Sequence, residues 1–202
     1  MIIGLEGVSC TGKSTLASGL ADRLGNISVV PCYYHSAPAP SMLPVPHVTS
    51  EAEQLSALAV HLEIEKVRLR HAQEALATRR RIVLDRTVDT LLAHLRAVGA
   101  MKGLNTGSRA RTLVNQQINK GLAMVPHVTL LLIADHEVLT ERARTRTDMP
   151  SLYYDPVFAR AFCAHFRNPI APVCLPLSAA LPAAQVLDQA CQLLEPYLGG
   201  SR

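Results

Sequence analysis

Short apolar runs alternate along this chain with longer segments in which apolar residues recur every three or four positions. The runs have the length of buried strands, and they are residues 1–6, 27–30, 82–84, 127–134 and 173–177. Helical spacing fills the intervals between them. Strands that alternate with helices in this way predict a parallel sheet with helices on both faces. We therefore expect one α/β domain over residues 1–202, built on a five-stranded parallel sheet.

The predicted helices have recognisable ends. They are residues 13–24, 50–78, 88–98, 108–124, 137–146, 157–166 and 183–198. Ser50 and Glu53 have the S-x-x-E spacing of a capping box, which predicts that the longest helix begins at Ser50. Glycines at positions 99, 103 and 107 are expected to break the helix that starts at Val88.

A proline-rich segment separates the second strand from the longest helix. Residues 31–50 hold five prolines and show no hydrophobic periodicity, which predicts a long loop. Loops of this length inside a compact domain are usually functional. We expect this one to contribute to the site that binds the second substrate.

Composition narrows the class of protein. Apolar residues make up 49% of the chain and charged residues 18%, which is typical of a globular fold rather than a disordered one. No apolar run reaches the roughly 18 residues that a membrane helix requires. The first residues lack the basic segment of a secretory signal, so a cytoplasmic location is expected. The five cysteines form no C-x-x-C pair and are expected to be free thiols.

The net charge of +4 is a weak argument for nucleic-acid binding. The chain has no Trp, and its aromatic content of 4% offers little surface on which bases could stack. Arginines instead cluster at residues 79–81 and 142–146. Clustered arginine with few aromatics favours a small phosphorylated ligand over a nucleic acid.

Residues 7–14 carry the chemistry. Their sequence, G-V-S-C-T-G-K-S, matches the P-loop pattern G-x-x-x-x-G-K-[ST], and it follows a predicted strand and begins a predicted helix. Backbone N–H groups of such a loop bind phosphate, aided by the helix N-terminus. The predicted cofactors are ATP and Mg²⁺. The residues expected to bind them are Gly7, Ser9, Cys10, Thr11, Gly12, Lys13, Ser14 and Thr15, with Lys13 on the β- and γ-phosphates and Ser14 on Mg²⁺.

Asp85 and Arg86 end the third predicted strand. The carboxyl edge of an open α/β sheet is where ligands bind. Asp85 is therefore expected either to hold Mg²⁺ or to accept a proton, and Arg86 to contact an acceptor phosphate through a bidentate pair. A strand-end Asp that caps the following helix is the structural alternative.

Three arginines follow the fourth strand. Arg142 and Arg146 share one face of the predicted helix and Arg144 lies on another, and the helix runs into a break that contains Pro150. Residues 142–155 are therefore predicted to form a lid in which Arg142 or Arg146 acts on the transferring phosphoryl group. The alternative is a solvated basic helix end.

These segments together resemble a known group of enzymes. Residues 3–16, 82–94 and 128–142 are similar to the P-loop strand, the Asp-Arg strand with its helix, and the arginine-bearing lid of P-loop nucleoside and nucleotide kinases. Among these, the chain most resembles the thymidylate kinase family and its deoxynucleoside kinase relatives. The resemblance implies the P-loop NTPase fold, kinase activity dependent on ATP and Mg²⁺, a nucleotide or nucleoside-like acceptor and a homodimer.

The part of the chain expected to bind the phosphate acceptor differs from that family. His94-Leu95 replaces the family's thymine-reading Tyr-Gln pair, and residues 27–50 contain no glutamate that could act as a base. A phosphate acceptor is already ionised and mainly needs cations, whereas a hydroxyl acceptor benefits from a base. The acceptor is therefore either a monophosphate bound by Arg86, which the sequence favours, or a hydroxyl group for which Asp85, His35 or His47 acts as the base.

Other side chains near this part of the chain have ordinary interpretations. Tyr33 and Tyr34 could stack on an acceptor ring, although aromatic pairs more often pack. The i,i+3 spacings of Glu63 with Lys66 and of Glu65 with Arg68 predict surface ion pairs.

Two other classes of function remain open. A P-loop NTPase that hydrolyses nucleotide as a switch would carry Asn-Lys-x-Asp, but residues 119–122 read N-K-G-L. A kinase of an antibiotic or another non-nucleotide metabolite would share the same phosphate-donor site.

Overall fold

The five strands form one parallel sheet in the order β2-β3-β1-β4-β5. The computed structural model describes residues 1–44, 48–78, 80–144, 146 and 150–199. The strands are β1 (Ile2–Glu6), β2 (Ile27–Val30), β3 (Arg81–Asp85), β4 (Val128–Ile133) and β5 (Cys174–Ser178). Because all the strands point the same way, their carboxyl ends meet at one edge. The predicted α/β class and five-stranded parallel sheet are confirmed.

Helices cover both faces of this sheet. They are α1 (Lys13–Leu24), α2 (Tyr33–Ser36), α3 (Glu51–Ala77), α4 (Val88–Lys102), α5 (Gly107–Asn119), α6 (His136–Ala143), α7 (Pro156–His165) and α8 (Ala183–Leu198). Short 3₁₀ turns cover Pro40–Met42 and Ser151–Tyr154. No helix in the described part of the chain has the length and apolar character that crossing a bilayer requires.

Alternating side chains on β3 show how the core is divided. Val83 packs with α1 and α8 on one face, whereas Ile82 and Leu84 pack with α3 on the other. Another cluster of buried apolar side chains lies under α4, α6 and α7 and includes Phe158 and Phe162. Both faces of the sheet are therefore apolar, as expected for parallel strands.

The helix predicted to break at Gly99 continues through it to Lys102. The true end is at Gly103, whose φ of 70° is left-handed and whose N–H donates to the Gly99 carbonyl. Leu104 N–H donates to the same carbonyl at 3.1 Å. A Cβ at Gly99 would lie 2.6 Å from the Leu104 carbonyl oxygen. Gly99 is therefore needed for the close approach of the returning chain rather than to interrupt the helix.

Three other predicted boundaries differ. The proline-rich loop contains the short helix α2, and the part of that loop at residues 45–47 lies outside the described residues. The helix predicted to reach Met124 ends at Asn119, because Gly121 adopts a left-handed φ of 67°. The helix predicted to reach Arg146 ends at Ala143.

The start of α3 agrees with the sequence. Ser50 Oγ accepts the Glu53 N–H at 3.2 Å, as a capping box requires. The Glu53 carboxylate also accepts the N–H and hydroxyl of Thr49, at 2.6 and 2.9 Å.

Arg68 on α3 joins the ends of two strands from inside the protein. Its Nη1 donates to the Glu65 carboxylate at 2.7 Å, and both side chains are fully buried. Its Nε donates to the Pro31 carbonyl at 3.0 Å, and its Nη2 donates to the carbonyls of Asp85 and Arg86 at 3.2 and 2.6 Å. One guanidinium thus fixes the main chain just beyond β2 and at the end of β3.

The prediction of a surface ion pair between Glu65 and Arg68 is therefore wrong. The Tyr33 ring lies 4.2 Å from the Arg68 guanidinium carbon and excludes water from it. The pair predicted two positions earlier on the helix, Glu63 with Lys66, is at the surface as expected. Both pairs have the same spacing, so the surroundings of α3 decide which one is buried.

We predict that Arg68→Met destabilises the protein far more than Lys66→Met. Removing one partner of a buried ion pair leaves the other charge without compensation, which costs about 3–5 kcal/mol. Loss of the exposed pair costs less than about 0.5 kcal/mol. Urea unfolding of both variants gives the two free-energy changes, and equal values would contradict the anchoring role of Arg68.

Candidate functional site

The loop after β1 has the backbone shape that phosphate binding requires. Gly7 and Gly12 have φ values of 137° and 88°, and Cys10 has a φ of 65°. A Cβ at Gly7 would lie 2.5 Å from the Leu132 carbonyl oxygen, so the loop starts in close contact with β4. No atom lies within 4 Å of a Cβ built at Gly12. The second glycine therefore faces open space in which a ligand can approach the main chain.

The N-terminus of α1 opens into the same space. Gly12 is its N-cap residue and supplies no side-chain acceptor for the first N–H groups of the helix. Ser14 and Thr15 are exposed beside those groups, while Ser9 and Thr11 are buried within the loop. Uncapped N–H groups and the helix dipole together favour an anion at this position.

Lys13 folds back onto the loop. Its Nζ donates to the Val8 carbonyl at 2.7 Å and to Thr11 Oγ1 at 3.3 Å, and its side chain is buried. Burial, and after it the Arg86 guanidinium, lowers the pKa of Lys13 to about 7, although Asp85 acts in the opposite direction. A phosphate group would replace these weak partners with a full negative charge.

Ser14 and Asp85 meet across the ends of β1 and β3. The Ser14 hydroxyl donates to Asp85 Oδ2 at 2.7 Å. Asp85 Oδ1 is buried and accepts no hydrogen bond from the described residues. The Ser14 hydroxyl and the Asp85 carboxylate, whose Oδ1 is unpaired, lie beside the phosphate-binding loop. This pair fits a hydrated Mg²⁺, which takes few protein ligands.

Arg86 follows Asp85 in a strained conformation. Its φ of 71° is left-handed, and its N–H donates to the Leu5 carbonyl at 3.0 Å. Its Nη1 makes only long contacts, at 3.4 Å, with the Gly7 carbonyl and Thr90 Oγ1. The turn directs the guanidinium toward the phosphate-binding loop, where strain of this kind is often found.

Glu6 is the residue that the sequence analysis missed. This fully buried carboxylate accepts the Thr87 N–H and hydroxyl at 2.7 Å, the Thr90 N–H at 3.2 Å and the Thr90 hydroxyl. Burial raises the pKa of Glu6, which the threonine hydrogen bonds partly offset. Glu6 thereby fixes the first turn of α4 next to Arg86. A charged residue at the end of an apolar strand was the available signal.

The predicted lid arginines separate in the structure. Arg142 Nη1 donates to the Cys10 carbonyl at 3.4 Å, so this side chain reaches the phosphate-binding loop. Arg144 is exposed and pairs with Glu141. Arg146 lies beyond the end of α6 with an exposed side chain, because the helix that would have aligned it with Arg142 stops at Ala143. Residues 145 and 147–149 of the predicted lid lie outside the described part of the chain.

Two imidazole side chains, His61 on α3 and His94 on α4, pack against aromatic rings near Arg86. His94 Nε2 lies 3.3 Å from the Tyr153 hydroxyl, and its ring packs edge-on against Phe158. Burial, with smaller effects of His61 and Arg86, lowers the pKa of His94 to about 4. Burial likewise lowers the pKa of His61, whose ring meets Tyr33 edge-on. Both imidazoles are therefore neutral at physiological pH.

Comparison with known structures supports the assignment of the fold. The chain is similar to a deoxyadenosine kinase from M. mycoides solved with bound dATP, with a TM-score of 0.70 and 14% sequence identity. The match covers 96% of this chain and 100% of that chain. No protein-family model matches the chain, and no curated protein sequence matches it. The fold is thus that of a P-loop nucleoside kinase, as the sequence resemblance implied.

We predict that ATP binding takes up a proton above neutral pH. Lys13, with its pKa at about 7, is largely neutral at pH 8 in the free protein. A bound phosphate charge would raise this pKa, because it favours the charged ammonium. Affinity therefore falls as pH rises above 7, by up to about tenfold per pH unit. Calorimetry at pH 8 in two buffers of different ionisation enthalpy measures the uptake.

Matched variants identify the group that takes up this proton. Lys13→Arg keeps its charge at pH 8, so any ATP binding that remains should show no uptake from this position. Lys66→Arg on the surface should behave like the wild type. Equal heats in the two buffers for the wild-type protein would show that Lys13 is already charged before ATP binds.

Proposed function

We propose that this protein transfers the γ-phosphoryl group of MgATP to a hydroxyl group of a nucleoside-like small molecule. The observation that carries the proposal is the arrangement around the P-loop. Lys13, the Ser14–Asp85 pair and Arg142 surround the uncapped N-terminus of α1. On the side of α3 and α4, neutral imidazole groups pack against aromatic rings, and we assign the acceptor to this side.

The donor phosphates are assigned to the P-loop. Backbone N–H groups of residues 7–15 and the Lys13 ammonium would bind the β- and γ-phosphates, because they supply positive charge where the phosphate charge lies. A cavity of about 290 Å³ at the carboxyl ends of β4 and β5 is a candidate for the donor base. It includes Ile133 and Asp135, and the contact of Gly7 with Leu132 places it next to the P-loop.

Mg²⁺ is assigned to Ser14 and Asp85. The unpaired Oδ1 of Asp85 and the Ser14 hydroxyl are hard oxygen ligands of the kind that Mg²⁺ prefers. When bound, the ion would neutralise part of the phosphate charge. Asp85 therefore serves better as a metal ligand than as the base that the sequence left as an alternative.

The shortage of available cations favours a hydroxyl acceptor over a monophosphate. A bound phosphate dianion generally needs several charge-assisted hydrogen bonds. Arg68 is fully buried, and its donors are committed to Glu65 and three carbonyl groups. Of the arginines described on this side, Arg86 retains donors for the acceptor. A hydroxyl acceptor is therefore preferred here to the monophosphate that the sequence alone suggested.

The similarity to the deoxyadenosine kinase supports a nucleoside as the first acceptor to examine. A thymidylate kinase-like specificity is a different prediction, and it requires a monophosphate acceptor. A kinase of another hydroxylated metabolite would use the same donor site. The homodimer implied by the sequence resemblance stays a prediction.

The placement of positively charged groups explains how the phosphoryl group would be transferred. The acceptor oxygen attacks the γ-phosphorus as the bond to the β-bridging oxygen breaks, and negative charge spreads over the transferred group and the leaving ADP. Lys13 and Arg142 would stabilise that charge, and Arg86 would orient the acceptor. Such preorganised donors act most strongly where water is excluded, and the burial of Lys13 meets this condition.

Phosphorylation of a panel of nucleosides, nucleoside monophosphates and other hydroxylated metabolites tests the proposal. With MgATP and product detection by mass spectrometry, we expect a nucleoside to be phosphorylated. Lys13→Ala should lower kcat by about 10²-fold or more, because it removes a donor to the transferring group. Selective turnover of monophosphates would contradict the hydroxyl acceptor, and ATP loss without a phosphorylated product would indicate a hydrolase.

We predict that Arg142 and Arg144 differ sharply in their effect on turnover. Arg142→Gln should lower kcat by about 10²-fold, since its guanidinium reaches the P-loop. Arg144→Gln should leave kcat unchanged, since Arg144 is exposed and pairs with Glu141. Arg146→Gln tests the second arginine suggested by the sequence. Equal losses for Arg142→Gln and Arg144→Gln would show that the lid acts through its general charge.

A further inference from the structure

A thiol and an imidazole lie together at the end of β2. Cys32 Sγ is 3.2 Å from His35 Nδ1. The backbone holds the two residues in place, because the N–H groups of His35 and Ser36 both donate to the Cys32 carbonyl and form the first turn of α2. Ser36 Oγ also donates to the Pro31 carbonyl at 2.9 Å. The contact therefore belongs to a hydrogen-bonded turn.

This turn lies beside the phosphate-binding loop. Arg68 Nε donates to the Pro31 carbonyl, which precedes Cys32 directly, and the same guanidinium holds the end of β3. The Cys32 thiol is within electrostatic range of Lys13 and of Arg68. The thiol–imidazole pair thus occupies the acceptor side of the carboxyl edge, near the lysine assigned to the γ-phosphate.

Carboxylates nearby are committed elsewhere. Residues 27–50 contain no Asp or Glu. Asp85 accepts from Ser14 through Oδ2 and its Oδ1 is assigned to Mg²⁺, and Glu6 is buried among threonine donors. Glu65 accepts hydrogen bonds from Arg68 and from the Met124 N–H. These three carboxylates therefore already have partners or a role in the proposed site.

Among the described histidines near this edge, His35 differs in exposure. His61 and His94 are enclosed by α3, α4 and aromatic rings, and burial lowers the pKa of both. The His35 side chain is exposed, and its Nδ1 contacts Cys32 at the end of β2. Imidazole is the side chain that exchanges protons most readily near neutral pH.

We propose that His35 accepts the proton of the acceptor hydroxyl and that Cys32 positions its imidazole. The inference rests on the proposed function and adds a base to it. His35 Nδ1–H donates to the Cys32 sulfur, which leaves a lone pair on Nε2. As the acceptor oxygen forms its bond to the γ-phosphorus, its proton passes to Nε2 and the bond to the β-bridging oxygen breaks. ADP then leaves, and the imidazolium returns its proton to water.

Charged and titratable neighbours act on this pair from three elements. Lys13 of α1 and Arg68 of α3 are the cations within range of Cys32, and Glu65 neutralises Arg68. The Tyr34 ring packs edge-on against His35, with ring centres 5.4 Å apart.

The test compares His35→Gln with His71→Gln in the full-length protein, using MgATP and deoxyadenosine and then any hydroxyl acceptor found in the panel. Removing a general base should lower kcat by about 10²-fold or more. The fall of kcat at acidic pH, where the base is protonated, should disappear in His35→Gln. His71 is exposed on α3, and its variant should match the wild type. An unchanged kcat and pH profile in His35→Gln would overturn the proposal.

Two variants of Cys32 separate positioning from simple packing. Cys32→Ser keeps an acceptor for Nδ1–H and should retain most of the activity and the pH profile. Cys32→Ala removes the acceptor and should lower kcat several-fold while the KM for ATP stays constant. Equal kcat values for the two variants would remove Cys32 from the mechanism.

A labelling experiment tests the location of the pair without any acceptor. Iodoacetamide modification of Cys32, followed by peptide mass spectrometry, should slow when MgATP is present, and Cys191 on α8 should react at an unchanged rate. Absence of protection at Cys32 would overturn the placement even in an active kinase. Protection at Cys32 without phosphorylation of any hydroxyl compound would instead refute the proposed function, and the role of His35 with it.

Discussion

The carboxyl edge of this sheet depends on one buried guanidinium. Arg68 holds the main chain beyond β2 through Pro31 and the end of β3 through Asp85 and Arg86, and Glu65 balances its charge. Burying two charges is costly, and the cost is recovered only when every donor is satisfied. Here each donated bond fixes a segment that carries a proposed functional residue. A single side chain thereby links the turn that carries Cys32 and His35 to the carboxylate proposed to bind Mg²⁺.

Glu6 has the corresponding role between β1 and α4. Its carboxylate accepts the N–H and hydroxyl groups of Thr87 and Thr90, so the turn through Arg86 is held from both sides. The left-handed φ of Arg86 is maintained by these contacts and by the bond of its N–H to Leu5. Two buried charged residues thus support the groups that would meet the substrates. The P-loop needs less support, because glycine adopts its required φ values without strain.

The sequence predicted what local patterns determine. The P-loop motif and the alternation of strands and helices are local, and they led to the parallel sheet and to the placement of Lys13 and Ser14. The burial of a side chain depends on distant parts of the chain. Glu63–Lys66 and Glu65–Arg68 have identical spacing, and only the packing of α3 makes the second pair buried. Arg146 was misplaced because the end of α6 at Ala143 has no glycine or proline to mark it. The contact of Cys32 with His35 depends on a short helix in a segment that was predicted to be irregular.

The affinity of bisubstrate compounds tests the central claim most directly, because one molecule must fill both halves of the site. Two compounds, adenosine joined to deoxyadenosine through four or through five phosphates, differ by the one phosphate that a monophosphate acceptor would add. If the acceptor site binds a hydroxyl group and has few cations, the four-phosphate compound should bind more tightly. Lys13→Ala should abolish this preference. Tighter binding of the five-phosphate compound, or binding of neither one, would contradict the account.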